Sequence, residues 1–189
     1  MKRWVLVACV LFAGFAQAQG ITCSEWVSFK GDVYKSECKL PDGGTRIGWA
    51  LWQNHDTPPT FLLALTRMAD GTADTTVVIA FTGAVNDALC PQPIGVILEA
   101  ADGTKTDSMV SGCGQQNWLV IFERDASGAV ITGYELNFVR RLASAGHKSI
   151  TFVAVTSDGE TTMQFTVPAA GLDEAAAEFL RLYAEYTKQ

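Results

Sequence analysis

Apolar and polar positions along the chain fall into short runs with turn signals between them. Residues 47–52, Ile47-Gly48-Trp49-Ala50-Leu51-Trp52, alternate large and small side chains over the first four positions. Residues 61–65 and 76–81 are apolar runs rich in strand formers, and 94–98, 118–122 and 130–134 are of the same kind. Residues 150–155 are apolar on both alternating faces, as a central strand requires. In residues 161–167, Met163, Phe165 and Val167 face one way and Thr162, Gln164 and Thr166 the other, so one face of that strand meets water. Between the runs stand Pro41-Asp42-Gly43-Gly44, Ala69-Asp70-Gly71, Ala101-Asp102-Gly103, Ala126-Ser127-Gly128 and Ser157-Asp158-Gly159. Asp or Ser before Gly permits the positive φ angles of tight turns, and Ser157-Asp158-Gly159 makes the best hairpin. Many short strands with glycine turns predict a mainly β fold, an antiparallel β-sandwich or curled sheet, and argue against a βαβ arrangement.

Two stretches switch to the helical period. In residues 136–145, Leu136, Val139 and Leu142 share a face, Arg140 and Arg141 come late, and Gly146 is a natural stop. In residues 172–188, Leu172, Ala175, Ala176, Phe179, Leu180, Tyr183 and Tyr186 form an apolar stripe. Asp173 and Glu174 lie in its first turn and Lys188 at its end, both signs matching the helix dipole. The stripe lacks flanking Lys and Arg, so it is read as packing on the sheet and not on a membrane surface. The expected architecture is a β-sandwich with one short helix and a C-terminal helix packed on it.

The N-terminus sets the compartment. Residues 1–18 read as a cleaved signal peptide: Lys2 and Arg3 are the positive start, residues 4–15 the apolar run, and Ala16-Gln17-Ala18 the small-x-small cleavage site. The run is shorter than the ~20 residues of a stable transmembrane anchor. Leu6-Val7-Ala8-Cys9 resembles a lipoprotein cleavage box but is the lesser reading, because it leaves too short an apolar region. The remaining residues, 19–189, are expected to form one domain, periplasmic or secreted. Losing Lys2 and Arg3 takes the formal charge of the chain from −6 to −8. That acidic balance argues against a nucleic-acid partner, which selects for a basic stripe. The leader also removes Cys9, so five cysteines become four: Cys23, Cys38, Cys90 and Cys113. An even count in an exported chain favours disulfides, and four cysteines allow three connectivities. Cys23–Cys38 and Cys90–Cys113 are favoured, because each pair is nearest in sequence and flanks strand-like segments. A zinc site is the rival, but the chain has no C-x-x-C.

Signatures of chemistry are few. The G-x-S-x-G elbow, the phosphate-binding glycine loops, H-E-x-x-H and the EF-hand pattern are all absent. No catalytic residue, metal ligand or cofactor is therefore expected. Twenty acids always provide pairs for glycoside hydrolysis, but nothing singles one out. His147 follows Gly146, where an imidazolium meets the last helical carbonyls. Trp49 and Trp52 are three positions apart, so in a regular strand they point to opposite faces. With Trp49 in the core, Trp52 is exposed or lies under the loop 53–60, which carries His55 and Pro58-Pro59. Trp52 and His55 are the candidate recognition surface, and ordinary loop packing is the competing reading for Trp52.

The C-terminal third has a more specific order: residues 136–145, Gly146, a strand over 148–155, the Ser157-Asp158-Gly159 turn, a strand over 161–167, then Ala169-Ala170-Gly171-Leu172 with Ala175 and Phe179. Upstream lie Ile94-Gly95-Val96-Ile97-Leu98, Ala101-Asp102-Gly103, Gly112-Cys113, and Trp26 followed by Cys38. This pattern resembles the invasion-associated locus B family of exported bacterial proteins over most of the chain, though through short motifs. Met109 stands where that family usually has a second cysteine, and Cys90 lies earlier instead, so the family's disulfide pattern is no guide here. The resemblance implies an envelope-associated or periplasmic β-sandwich without a cofactor, linked in some members to host-cell invasion. It supplies no catalytic residues. The expected function is non-enzymatic binding of a protein partner. A periplasmic enzyme or enzyme inhibitor with a loop-built site is the alternative, and a purely structural envelope protein the third reading.

Overall fold

A computed structural model of the chain describes residues 20–53, 60–81, 83–115, 118–122, 134–144 and 146–188. The proposed leader, His55, Pro58-Pro59 and the Ala126-Ser127-Gly128 turn lie outside the described residues. Among the described residues eleven strands form one antiparallel sheet: β1 (Thr22–Cys23), β2 (Val27–Lys30), β3 (Val33–Lys39), β4 (Thr45–Leu51), β5 (Phe61–Arg67), β6 (Ala73–Ala80), β7 (Gln92–Ala100), β8 (Lys105–Gln115), β9 (Trp118–Phe122), β10 (His147–Val155) and β11 (Thr162–Pro168). Helix α1 spans Tyr134–Leu142 and α2 spans Leu172–Tyr186. The strand order is β1-β3-β4-β5-β6-β9-β8-β7-β10-β11, with β2 paired to β3.

The sandwich expected from sequence is built from this single sheet, curled so that its two halves face each other. Phe61 of β5 stacks on Phe152 of β10 with centroids 5.5 Å apart, and Phe152 touches Phe165 of β11 at 5.3 Å. Every second residue supplies this shared core: Ile47, Trp49 and Leu51 from β4, Leu63 and Leu65 from β5, Ile94 and Val96 from β7. The helices close it. Leu172, Ala175, Ala176 and Phe179 are buried on one face of α2, as the stripe predicts. Phe179 lies 5.8 Å from Trp49, whose indole Nε1 donates to Glu178 at 3.0 Å.

The two ends of the chain's path are clasped where β11 leads into α2. The Asp32 amide donates to the Ala170 carbonyl at 2.8 Å, and the Ala170 amide donates to the Asp32 carboxylate at 3.0 Å. Gly171, at φ 87°, is required at this crossing: a Cβ there would lie 2.3 Å from the Lys30 carbonyl oxygen.

Cys23 and Cys38 face each other in the β1–β3 register and pair, and Cys90 pairs with Cys113 of β8, as favoured from sequence. Strand β8 is not visible in the apolar pattern, because Lys-Thr-Asp-Ser-Met-Val-Ser-Gly-Cys-Gly-Gln has only two neighbouring large apolar residues; its pairing with β7 and β9 makes it a strand. Tyr134, read as the end of a strand over 130–134, instead opens α1. Residues 130–133 of that reading lie outside the described residues.

Candidate functional site

The sheet has a second apolar layer on its outer surface, over β4, β5, β6 and β9. Most strands of the second half alternate between core and outer surface: in β11, Phe165 and Val167 are buried while Gln164 and Thr166 are exposed. Strands β4 and β5 do not alternate. All residues from Arg46 to Leu51 and from Phe61 to Thr66 are buried. Their core-facing residues meet the aromatic interior. Their outward residues, Ala50, Leu62 and Ala64, join Val78 of β6 in a separate apolar cluster.

Three tryptophans cover that cluster: Trp26, Trp52 and Trp118, each half-buried. Trp26 comes from the link between β1 and β2, which is tied to β3. The Ser24 amide donates to the Glu37 carbonyl at 2.8 Å, and the Ser36 hydroxyl donates to the Ser24 carbonyl at 2.8 Å. This throws the Trp26 ring across β3 onto Gly48. A Cβ at Gly48 would sit 3.0 Å from Trp26 Cη2 and 3.3 Å from Leu62 Cδ1, so only glycine leaves the ring room. Trp52 follows β4 and keeps the outward parity of Gly48 and Ala50. It lies edge-on between Trp26 and Tyr34, with centroid distances of 5.2 Å and 5.3 Å. Such edge-to-face pairs add about 0.5–1.5 kcal/mol each beyond area burial. Trp118 opens β9 opposite Ala80 of β6 and extends the layer.

The opposite placement of Trp49 and Trp52 is as the three-residue spacing predicts. Trp49 is 1% exposed in the core, while Trp52 lies on the outer face. Trp52 is not a freestanding exposed ring, because its edge contacts with Trp26 and Tyr34 hold it. His55 falls outside the described residues. The sequence reading missed Trp26, Tyr34 and Trp118 as neighbours of Trp52. Their signal was the small outward residues Gly48, Ala50 and Ala64, which leave a flat bed for large rings.

Below this patch the outer face turns polar but stays closed. Arg46 is buried and donates from Nε to the Thr66 hydroxyl at 2.9 Å. The arrangement offers a broad, rigid apolar surface with an indole and phenol rim, suited to contact with another apolar surface.

The histidine that sequence places after α1 does meet a helical carbonyl: His147 Nε2 donates to Leu142 at 2.7 Å. Nearby, the Ser144 hydroxyl donates to the Arg141 carbonyl at 2.7 Å. Neither contact is a nucleophile paired with a base. Among the described residues, no three His, Cys, Asp or Glu side chains gather to hold a metal, and no helix is long and apolar enough to cross a membrane. No family model, curated protein or solved structure matches the chain.

Proposed function

We propose that this protein is an exported, non-enzymatic binding protein whose partner protein docks on the aromatic outer face. The observation that carries this reading is the second apolar layer itself. A sheet with one interior has no structural need for half-buried Trp26, Trp52 and Trp118 on its outside, and large rings at a rigid surface are the commonest anchors of protein interfaces. Export is supported by the signal-like first 18 residues and by two paired cysteine sets, which persist in oxidising compartments. The similarity to the invasion-associated locus B pattern makes the proposed partner a component of the cell envelope or of a host cell.

The test is cross-linking in intact cells followed by identification of the partner. A partner retained by the wild type and by Met109→Ala, on the opposite outer face, but lost with Trp52→Ala supports the reading. Equal retention by Trp52→Ala, with its fold intact, overturns it.

A further inference from the structure

Helix α1 packs on β6, β9 and α2. At its C-terminal end, over the hairpin end of β7 and β8, lies a cavity of about 540 Å³ whose lining includes Asp102, Thr106, Asp107, Ser108, Arg141 and His147. This volume is in the range of small-molecule sites. The inner positions of β8 change character on reaching it, from Gly112 and Val110 to Ser108 and Thr106. An apolar interior therefore gives way to hydroxyl groups where the cavity begins.

The charged groups here are not neutralised by one another. The Arg141 guanidinium lies over the Phe138 ring at 5.6 Å and makes no ion pair among the described residues. Asp102, in the turn beside the cavity, uses Oδ1 for the Thr104 amide at 2.9 Å. His147, 7% exposed, forms part of the lining. With Nε2 donating to Leu142, its Nδ1 is left as a buried acceptor without a partner. Such an atom calls for a donor from a water or a ligand. Leu98 and Ala100 make much of the cavity's lining apolar, and its polar groups include one guanidinium, several hydroxyls and the His147 acceptor. A simple anion would face the Asp102 carboxylate, and a simple cation would face Arg141. A neutral ligand whose hydroxyls both donate and accept satisfies both walls.

We propose that this cavity binds a small neutral polyhydroxylated ligand of mono- or disaccharide size. The site is separate from the aromatic outer face and stands or falls independently of it. The experiment is an amide-resolved NMR titration of the protein with glucose, N-acetylglucosamine and maltose, with glycine and inorganic phosphate as charged probes. The expected result is saturable shifts confined to residues 102–108, 141–144 and 147 with at least one sugar. Thr106→Ala and Arg141→Ala, both at exposed side chains, are expected to keep the wild-type circular dichroism and weaken that binding at least ~10-fold. The proposal is overturned if no sugar gives saturable shifts at tens of millimolar, or if glycine or phosphate binds more tightly. It is equally overturned if the shifts map to Trp26 and Trp52, or if both variants bind sugar as the wild type does.

Discussion

The two outer faces of the sheet are made from strands of similar length in one continuous ladder, yet they carry opposite chemistry. Over β4, β5, β6 and β9 the outward residues are Gly48, Ala50, Leu62, Ala64 and Val78, covered by Trp26, Trp52 and Trp118. Over β10 and β11 they include Thr151 and Thr166, whose hydroxyls hydrogen-bond at 2.7 Å, with Gln164 exposed beside them. Each of these strands has one face for the shared core, so the difference lies in what the other face is for. A threonine-rich face meets water at little cost. A face of small residues under three indoles has been built to hold rings in place.

A buried charge separates the two faces most visibly. Leu62→Asp places a carboxylate at a position 1% exposed, with no cation opposite, and is expected to cost about 4 kcal/mol in urea unfolding. Gln164→Asp, at the same parity on the other face, is expected to change stability by no more than about 0.5 kcal/mol. Equal costs would mean the two faces are equally wet. Next in size is Trp52→Ala. Losing two edge-to-face pairs and part of an indole's burial should cost about 2 kcal/mol, with unfolding still cooperative. Gly48→Ala forces Trp26 aside and should cost about 1 kcal/mol, whereas Gly95→Ala on the other outer face meets Val153 only at 3.4 Å and should be near neutral.

The smallest effect is electrostatic. Asp158, in the β10–β11 turn, accepts from the Thr156 hydroxyl and from the Glu160 and Thr161 amides, which hold its carboxyl down to about 2 from the usual 3.8. A lowered folded-state value means that its contribution is full above the ordinary value and is lost as pH falls through about 2. The stability gap between wild type and Asp158→Asn is therefore expected to shrink as pH falls from about 4 to about 2, and to be unchanged by the outer-face variants. A gap independent of pH in that window would show the turn bonds to be inconsequential.

Much of this fold is legible in the sequence because alternation is a local signal. Met163, Phe165 and Val167 identify the core face of β11 without any partner strand, and Leu136, Val139 and Leu142 identify that of α1, although the helix ends at Leu142 and not at the residue before Gly146. The cysteine pairs are legible because each spans adjacent elements. Strand β8 is not, since its Ser, Thr and Gly residues gain strand geometry only from ladders on both sides. The outer layer is legible only at Trp52. Trp26 reaches it from a different segment, and only the bonds of Ser24 to β3 aim that ring at Gly48. The cavity escapes sequence reading for the same reason: Thr106, Arg141 and His147 come from three elements, and each alone reads as an ordinary surface or capping residue.

The most direct test of the outer face as a docking surface is site-specific photo-cross-linking in intact cells, with a photoreactive phenylalanine analogue at Tyr34 or at Gln164. Tyr34 borders Trp52 at 5.3 Å, and Gln164 lies on the threonine-rich face. The expected result is a discrete protein adduct from position 34, absent from position 164 and abolished by Trp52→Ala in a chain that still unfolds cooperatively. The same adduct from both positions, or one indifferent to Trp52→Ala, would contradict the assignment of recognition to the aromatic face.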